Sequence, residues 1–506
     1  MPSAAPCMPA DPADERLRHA AHPDDWINPE PRGRYQLVVI GGGTAGLVCA
    51  MGAAGLGARV ALVERALLGG DCLNTGCVPS KALLRSARAA ADARRASSVG
   101  VRVGRVDPDF ATVMRRMRER RADISPHDSA GRLRAAGVDV YFGEARFADA
   151  SSIVVAGRTL AFRRAVIATG GRPAVPTLRG LDTVPFLTSE TLFGLRDQPR
   201  RLAVVGGGPI GCEMAQAFAR LGTAVTLVEQ AVRLLPEEDA DAADLVARQL
   251  IADGVTLRLG TAAQDVAAAG DAIRLNWRQS QDVNERGAET VCDQLLIVTG
   301  RAPNVEALDL PAAGVAFTAG GIVVDDRLRT TNPRVFAAGD VCSKYKFTHA
   351  ADALARIVIQ NALFFGRKRA SGLVIPWCTY TDPEVAHVGL YEEQARSAGR
   401  RVETITIRLS DVDRAVVDEE RDGFVRIHHE RGRLLGCTVV SSRAGEMIGL
   451  AAHALTHGAS LTAIGSTIQP YPTLNNAFRA AADAYSRTRL TPAVRTLLRR
   501  YFQFGR

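Results

Sequence analysis

Short apolar runs that end at glycines recur along the chain and organise it. Residues 37–50 read LVVIGGGTAGLVCA, and residues 202–215 read LAVVGGGPIGCEMA. Each run is typical of a buried parallel strand, and after the glycines the apolar spacing becomes helical. A second apolar run follows in each copy, VALVERA at 60–66 and VTLVEQA at 225–231. We therefore predict one βαβ unit that occurs twice.

Later apolar runs complete this pattern. AVIATGGRP at 165–173 and LLIVTGRAPN at 295–304 each end in a glycine turn, and VFAAGD follows at 335–340. From about residue 371 the chain changes to alternating strands such as FVRIHHE and LLGCTVV, and then to helices. The predicted fold class is α/β, with two such nucleotide-binding domains of Rossmann type and a C-terminal α+β domain.

Composition narrows the class of protein. The chain has 506 residues, of which 47% are hydrophobic and 23% charged, the balance of a globular protein with several domains. Its formal charge is +9, much of it arginine in an alanine-rich sequence. A positive field attracts anionic dinucleotides as well as nucleic acids, so we expect no nucleic-acid partner.

The cysteines and the N-terminal region indicate in which cellular compartment the protein resides. The nine cysteines are scattered and odd in number, unlike a secreted disulfide framework. The first 34 residues lack an apolar signal core. Residues 37–58 are uncharged over a length that nominally spans a bilayer, but the run Gly41-Gly42-Gly43 favours a strand, a turn and a helix. We predict a cytoplasmic protein without stable membrane insertion.

The glycine turns carry a nucleotide-binding pattern. Gly41 permits the tight turn, Gly43 lets the backbone approach a pyrophosphate, and Gly46 allows close packing of helix on strand. Glu64, at the end of the next strand, can accept hydrogen bonds from ribose hydroxyls. The same arrangement recurs at the same spacing of 23 residues from first glycine to glutamate, in Gly206, Gly208, Gly211 and Glu229.

A cysteine pair stands in the segment GGDCLNTGCVPSKALL at 69–84. Five residues of regular helix rise about 7.5 Å, farther than disulfide geometry usually tolerates. We therefore expect Cys72 on an irregular turn and Cys77 near a helix start, where Pro79 is acceptable and a thiol pKa is lowered. A zinc site would need a second short-spaced ligand pair, and a static bridge is disfavoured in a reducing compartment. The pattern favours a redox-active pair.

These motifs together resemble the FAD-dependent pyridine nucleotide–disulfide oxidoreductases, the family of dihydrolipoamide dehydrogenase, glutathione reductase and mercuric reductase. The resemblance covers about residues 34–490. It implies that the first unit binds FAD and the second NAD(P)H. It also implies a flavin-proximal role for Cys77, an interchange role for Cys72 and a pairing of Lys81 with Glu213 beside the flavin. Asp340 would hold the ribityl chain, and the further cofactor-binding positions are Lys81, Thr169, Gly170, Gly300 and Gly339.

The resemblance also implies domain boundaries and an assembly. It places an N-terminal extension at 1–33, an FAD-binding part at 34–172, an NAD(P)-binding domain at 173–298, a central FAD-binding part at 299–370 and a dimerisation domain at 371–506. The expected assembly is a homodimer. NADH is expected in preference to NADPH, because Glu229 would repel a 2′-phosphate, although the nearby Arg233 softens the preference.

The last motif of the family is altered here. Disulfide reductases carry a His–Pro–Thr segment with a glutamate five residues after the histidine, whereas this chain reads YPTLNN, with Tyr471 and Asn476 in those places. Neither residue is a base near neutral pH, and no histidine follows His457. Mercuric reductase is similar in having tyrosine there, but its C-terminal vicinal cysteines are missing from RYFQFGR, which counts against efficient mercury reduction.

The main hypothesis is an enzyme that passes electrons from NAD(P)H through FAD to Cys72 and Cys77, and then to a soft metal ion such as Hg(II) or to a disulfide or other electrophile. The alternatives are a dihydrolipoyl dehydrogenase-type enzyme and a non-catalytic redox sensor that binds FAD and NADH. No resident metal site is expected. We also expect the basic run 115–121 to be a solvated helix face, and the amphipathic tail from Val494 to pack on the dimer rather than on a membrane.

Overall fold

A computed structural model describes residues 11–279 and 288–504, which form two compact units. The first unit runs to Val232 and resumes over Asp253–Leu373. The second unit consists of Arg233–Ala252 and of the chain from Val374 onward. The finer division into five segments stays a prediction.

The helices and strands are numbered along the described chain. The helices are α1 Pro12–Ala21, α2 Thr44–Gly55, α3 Gly70–Asn74, α4 Cys77–Arg95, α5 Phe110–Ile124, α6 Ala130–Ala135, α7 Pro209–Arg220, α8 Ala240–Ala252, α9 Thr348–Leu363, α10 Glu392–Ser397, α11 Asp413–Val417, α12 Ala444–His457, α13 Leu461–Ser466, α14 Asn476–Thr488 and α15 Pro492–Phe504. The strands are β1 Tyr35–Ile40, β2 Val60–Glu64, β3 Val138–Phe142, β4 Ala145–Asp149, β5 Ser152–Val155, β6 Arg158–Ile167, β7 Gly171–Pro173, β8 Arg201–Val205, β9 Ala224–Val228, β10 Thr256–Arg258, β11 Thr261–Ala269, β12 Ala272–Gln279, β13 Ala288–Cys292, β14 Gln294–Ile297, β15 Arg301–Pro303, β16 Phe317–Thr318, β17 Gly321–Ile322, β18 Val335–Ala337, β19 Trp377–Thr379, β20 Glu384–Gly389, β21 Glu403–Arg408, β22 Phe424–Glu430 and β23 Arg433–Ser441.

The first unit contains a sheet of seven strands in the order β3-β2-β1-β6-β5-β4, with β18 also paired to β6. Strands β3, β2, β1 and β6 are parallel to one another, as is β18 beside β6. Strand β5 is antiparallel to both β6 and β4. The side chains of Leu37–Ile40 are buried on both faces of the sheet. This explains the uninterrupted apolar run, because a parallel sheet is covered on both sides.

A second parallel sheet in the same unit has the order β10-β9-β8-β14. Arg201 pairs with Ala224 at the start of β8, and Val205 pairs with Val228 at its end. An antiparallel sheet of β11, β12 and β13 lies between β10 and β14 in the chain. The predicted repetition of one βαβ unit is thus present as β1-α2-β2 and β8-α7-β9.

The second unit is built on an antiparallel sheet of order β19-β20-β23-β22-β21. Its core includes Val388, Ile427 and Val439 of the sheet, together with Met447 of α12 and Phe478 of α14. The predicted fold class, two Rossmann-like domains and a C-terminal α+β domain, is confirmed. Residues 37–58 form most of β1, a turn and all of α2, as expected. No helix in the described part of the chain is long and apolar enough to cross a membrane.

The prediction for the basic run 115–121 is wrong at two positions. Arg118 and Arg121 on α5 are only 8% and 2% exposed. They are buried because α1 packs on α5 and supplies Asp11 and Asp14 as carboxylate partners. Arg115 and Arg120 of the same run are exposed, whereas Arg116 and Glu119 are partly buried.

Candidate active site

The first glycine turn joins β1 to α2 and leaves backbone amides open. Gly41 has φ of +107°, and a methyl group on Gly46 would lie 1.8 Å from the carbonyl oxygen of Gly41. No side chain caps α2, which begins after Gly43, so its N-terminal amides face outward. Such a turn fits a bound pyrophosphate, because the helix end is electropositive and no Cβ blocks the approach.

Glu64 closes this turn from the end of β2. Its carboxylate accepts hydrogen bonds from the amides of Gly42, at 2.6 Å, and Ala66, at 2.8 Å. Burial raises the pKa of Glu64, whereas the two amide donors act in the opposite direction. The carboxylate therefore organises the loop as well as offering oxygen atoms to a ribose.

The second glycine turn has the same construction. Gly206 has φ of +118°, and a methyl group on Gly211 would lie 1.8 Å from its carbonyl oxygen. Helix α7 begins after Gly208 without a side-chain cap. Glu229 accepts from the amides of Gly207, at 2.5 Å, and Ala231, at 2.6 Å. Both turns thus fit a dinucleotide, and Glu229 remains partly exposed.

Two hydrogen bonds join the segment after β6 to the segment after β15. Thr169 donates its hydroxyl to the carbonyl of Asn304, at 2.7 Å, and the Asn304 side chain donates to the carbonyl of Thr169, at 2.9 Å. Gly170 and Gly300, the neighbouring turn residues, have φ of +66° and +145°. The structure therefore brings the predicted residues Thr169 and Gly170 beside the segment that follows Gly300.

Asp340 lies after β18 and next to Gly339, whose φ is +83°. Burial raises the pKa of Asp340, although Arg301 lies 3.4 Å from its carboxylate and opposes the rise. Arg301 also donates to Asp71, the residue before Cys72. Sequence reasoning missed Arg301 and Asp71, although both stand inside the motifs that pointed to the cofactors and the cysteines.

The two cysteines lie on consecutive helices. Cys72 belongs to the one-turn helix α3, rather than to the irregular turn that was expected, and Cys77 is the first residue of α4. The helical conformation is interrupted between α3 and α4 at Gly76, where a methyl group would lie 2.8 Å from the carbonyl oxygen of Asp71. A helix start favours an anionic sulfur, because the helix dipole and the free amides stabilise it.

The two thiols differ sharply in acidity. A hydrogen bond from Cys72, a contact with Thr348 and the charge of Lys81 lower the pKa of Cys77 to about 6. The same hydrogen bond and burial raise the pKa of Cys72. The Thr348 hydroxyl oxygen lies 3.5 Å from the Cys77 sulfur and was missed from the sequence, which offered no periodic or motif signal for it. Both shifts favour a negative charge on Cys77 and a proton on Cys72.

Lys81 lies one turn after Cys77 on α4. Its ammonium group donates to the carboxylate of Glu213, at 2.8 Å, and the Glu213 side chain is only 6% exposed. The structure thus brings the helix that carries Cys77 together with the helix that follows the second glycine turn.

Tyr471 and Asn476 belong to the second unit. Tyr471 is 74% exposed, and its hydroxyl donates to the carboxylate of Asp413, at 2.9 Å. This hydrogen bond raises the pKa of Tyr471, so the phenol stays protonated at neutral pH. The Asn476 side chain accepts from the amide of Thr473 within its own turn. Asp413 is a partner that sequence reasoning missed.

Comparisons with known proteins agree with this geometry. Residues 35–355 match the sequence model of the pyridine nucleotide-disulphide oxidoreductases, and residues 375–482 match the dimerisation domain of the same family. The mercuric reductase of Lysinibacillus sphaericus is 34% identical over 90% of this chain and 83% of its own length. The dihydrolipoyl dehydrogenase of Thermus scotoductus is also 34% identical, over 89% of this chain and 97% of its own.

A solved structure extends the likeness to three dimensions. The Cu(II) complex of RclA, an HOCl-induced flavoprotein disulfide reductase from Escherichia coli, has 28% identity and a TM-score of 0.78. The match covers 90% of this chain and all of the other. With two glycine turns, a cysteine pair and both matching domains, the chain belongs to the pyridine nucleotide-disulphide oxidoreductase family, whose members are FAD-dependent enzymes that use a pyridine nucleotide.

Proposed function

We propose that the enzyme passes electrons from NADH to the Cys72–Cys77 pair and onward to a soft, thiophilic metal ion such as Hg(II). The overall reaction is NADH + Hg²⁺ → NAD⁺ + H⁺ + Hg⁰, in which two electrons leave the nicotinamide and reduce the metal ion. The observation that carries the proposal is the position of Cys77 as the first residue of α4, directly after the helix that carries Cys72 and one turn before Lys81. A sulfur at a helix start near a cation is stabilised as a thiolate, which binds soft cations and exchanges electrons.

When bound, FAD supplies the two-electron chemistry that connects the nicotinamide with the disulfide. The residues that would hold FAD are Gly41, Gly43, Gly46, Glu64, Lys81, Thr169, Gly170, Gly339 and Asp340. Those that would hold the nicotinamide nucleotide are Gly206, Gly208, Gly211, Glu229 and Gly300. Their backbone geometry supports this assignment, since both turns are free of Cβ atoms where a pyrophosphate must approach.

The two sulfur atoms have different roles in the proposed reaction. Cys77, the first residue of α4, keeps its negative charge through the donor on Cys72, and it is the thiol that we place next to the flavin. Cys72 keeps its proton and is the thiol that we place at the acceptor. Lys81 sustains the charge of Cys77 and is itself held by Glu213. This arrangement lowers the pKa of Cys77 and so favours the thiolate that binds a metal ion.

Tyr471 favours a metal ion over an ordinary disulfide. A phenol that donates to Asp413 can contact a thiolate-bound metal but cannot remove a proton from an incoming thiol. General acid–base help is typically worth about 10²–10⁴ in rate, so its loss slows disulfide exchange. We infer that Tyr471 serves the acceptor site of a homodimer, which the dimerisation domain supports.

A second candidate is a dihydrolipoyl dehydrogenase-type disulfide oxidoreductase. It is favoured by the likeness to the Thermus scotoductus enzyme and by the same pair of thiols. Its half-reaction with a disulfide, NADH + H⁺ + RSSR → NAD⁺ + 2 RSH, needs a proton at the leaving sulfur.

We further propose that the enzyme prefers NADH to NADPH, because Glu229 would repel a 2′-phosphate. We also propose that the enzyme is cytoplasmic.

One experiment separates the two candidates. The purified enzyme is reduced anaerobically with one equivalent of NADH and mixed with Hg²⁺, Cu²⁺, glutathione disulfide or lipoamide, while its reoxidation is followed by stopped flow. The proposal expects two new titratable thiols after reduction, and the fastest reoxidation with a metal ion, with mercury vapour released from the Hg²⁺ sample. Fastest reoxidation by a disulfide, without mercury vapour, would instead establish the second candidate.

A further inference from the structure

The N-terminal helix α1 is joined to α5 by two shielded ion pairs. Asp11 caps the start of α1 and accepts a hydrogen bond from Arg118. Asp14, which is 4% exposed, accepts from Arg121, which is 2% exposed. A buried charge is strongly disfavoured without its partner, so the Asp14–Arg121 pair ties the two helices together.

Arg121 makes a second contact, with the segment between the two cysteines. Its other guanidinium nitrogen donates to the backbone carbonyl of Asn74, at 2.8 Å. Asn74 is the last residue of α3, where carbonyl groups have no partner within the helix. The Asn74 side chain in turn donates to the carbonyls of Leu68 and Gly70, which closes the turn. Arg121 therefore holds the end of the helix that carries Cys72.

Apolar side chains also join α3 to α1 and α5. Leu73, between Cys72 and Asn74, is buried in a cluster with Ala13 and Leu17 of α1 and Ala122 of α5. Asp14 and Leu17 precede residue 35, where the match to the family begins. The support of the cysteine segment thus comes partly from a region outside the matched domains.

We propose that Arg121, locked by Asp14 of the N-terminal helix, is a positioning residue that sets the geometry of Cys72 relative to Cys77. The inference rests on the proposed redox role of these two cysteines. If α3 loosens, Cys72 no longer donates to Cys77. The groups that remain around the Cys77 sulfur are Thr348, Lys81 and Glu213, while Asp128 acts on Cys72.

The test compares two double variants of the full-length holoenzyme. Asp14→Leu with Arg121→Met replaces the buried pair by apolar side chains, so that α1 can remain docked while Asn74 loses its donor. Asp11→Asn with Arg118→Met is the matched control, because it removes the other ion pair of the same two helices, keeps a cap on α1 and leaves Asn74 untouched. The readouts are hydrogen exchange of residues 68–80 and the pH midpoint of the long-wavelength absorbance that a thiolate next to the flavin gives in the NADH-reduced enzyme.

We expect the Asp14→Leu/Arg121→Met variant to exchange faster over residues 68–80. We also expect its absorbance midpoint to rise by about half a pH unit or more, equivalent to about a threefold loss of thiolate below the midpoint. The control should match the wild type in both readouts. A folded Arg121 variant with wild-type exchange and midpoint overturns the inference.

Two further outcomes are informative. If the double variant does not fold, Arg121→Lys takes its place, since an ammonium group can pair with Asp14 but does not span to Asn74 as a guanidinium does. It should give the same two changes, and wild-type values overturn the inference. If the wild type itself shows neither the absorbance nor two new thiols, the proposed function has failed, whereas hydrogen exchange still decides whether Arg121 holds α3.

Discussion

The ammonium group of Lys81 and the carboxylate of Glu213 meet at 2.8 Å, although 132 residues separate them in the chain. Lys81 is one turn from Cys77 on α4, and Glu213 lies near the start of α7, directly after the second glycine turn. The Glu213 side chain is nearly inaccessible to water, and the lysine ammonium group is an oppositely charged partner for it. The pair therefore couples the charge on the redox thiol to the helix that begins at the predicted nucleotide turn.

Replacing Lys81 should change both the pKa of Cys77 and the free energy of unfolding of the enzyme. Lys81→Met removes a charge that lowers the pKa of Cys77, so this pKa should rise from about 6. It also removes the ammonium group that lies 2.8 Å from the buried Glu213 carboxylate, at a cost in the free energy of unfolding of about 2 kcal/mol, below the range for fully buried pairs because Lys81 is partly exposed. Alkylation of the reduced enzyme by iodoacetamide across pH, with the site identified by mass spectrometry, measures the first effect.

The double variant Lys81→Met with Glu213→Gln is the control for this prediction. It should recover stability in thermal unfolding, because the buried carboxylate is removed together with the ammonium group, while the pKa of Cys77 stays above that of the wild type. Glu213→Gln alone should lower the pKa of Cys77, since Glu213 acts to raise it. A Cys77 pKa that is insensitive to all three variants would contradict the charge coupling.

The donor role of Cys72 predicts a difference between two substitutions. Cys72→Ser keeps a hydroxyl that can donate to Cys77, whereas Cys72→Ala removes the largest cause of the lowered Cys77 pKa. The long-wavelength absorbance should therefore persist at neutral pH in Cys72→Ser and shift to higher pH in Cys72→Ala. Because the acid pKa is depressed, the thiolate is present above the folded pKa and is lost as pH falls through about 6.

Cys77→Ser is the complementary test of the same assignment. It should abolish the absorbance at every pH, because a serine hydroxyl does not ionise in this range. Identical behaviour of the Cys72→Ser and Cys77→Ser variants would show that the two sulfur roles are assigned wrongly.

The glycine turns were predictable because their signals are local. The first glycine must adopt a positive φ and the third must leave room for a carbonyl oxygen, so the required residue types recur at fixed spacing. The apolar strands were equally readable, because burial on both faces removes polar positions from β1 and β8. The residues that determine such features all lie within about 25 positions of one another in the sequence.

The missed contacts join residues that are far apart. Arg121 and Asp14 are separated by 107 residues, and Tyr471 and Asp413 by 58. A basic run on a helix is usually solvated, and only packing by α1 reverses this for Arg121. A readable signal did exist, because Asp11 and Asp14 have the same three-residue spacing as Arg118 and Arg121 and can therefore pair across two helices.

Glu229 should set the preference for NADH over NADPH. Its carboxylate is anchored by the amides of Gly207 and Ala231, and a 2′-phosphate next to it would be repelled. Glu229→Gln removes the charge but keeps an acceptor for the loop, so it should narrow the ratio of kcat/KM for the two nucleotides. Glu229→Ala should narrow the ratio and also weaken binding of NADH, because the loop loses both anchors.

Steady-state kinetics with both nucleotides on the three proteins measures this preference. The wild type should favour NADH by about tenfold or more, which corresponds to about 1.4 kcal/mol. A tenfold preference of the wild type for NADPH would refute the role given to Glu229, and an unchanged ratio in Glu229→Gln would show that the charge is not the cause.

The last prediction concerns the missing base in the second unit. Tyr471 donates to Asp413 and stays protonated, and the Asn476 side chain accepts a hydrogen bond from the amide of Thr473. Turnover of glutathione disulfide or lipoamide should therefore be slow, while reduction by NADH stays fast. Tyr471→His with Asn476→Glu should raise disulfide turnover by about tenfold or more, and by more than either single change, because the carboxylate orients and charges the imidazole.

Tyr471→Phe and Asp413→Asn serve as the matched pair of controls for this change. Tyr471→Phe removes the hydroxyl and should impair transfer to a metal ion without improving disulfide turnover. Asp413→Asn leaves the hydroxyl but removes the charge that raises the pKa of Tyr471, so that pKa should fall. Steady-state rates with a small disulfide and with Hg²⁺ distinguish these effects. Wild-type disulfide rates equal to those of the Tyr471→His/Asn476→Glu variant would mean that another group already provides the acid–base help expected of the imidazole, because a phenol held protonated by Asp413 cannot both give up and take back a proton at neutral pH as an imidazole does.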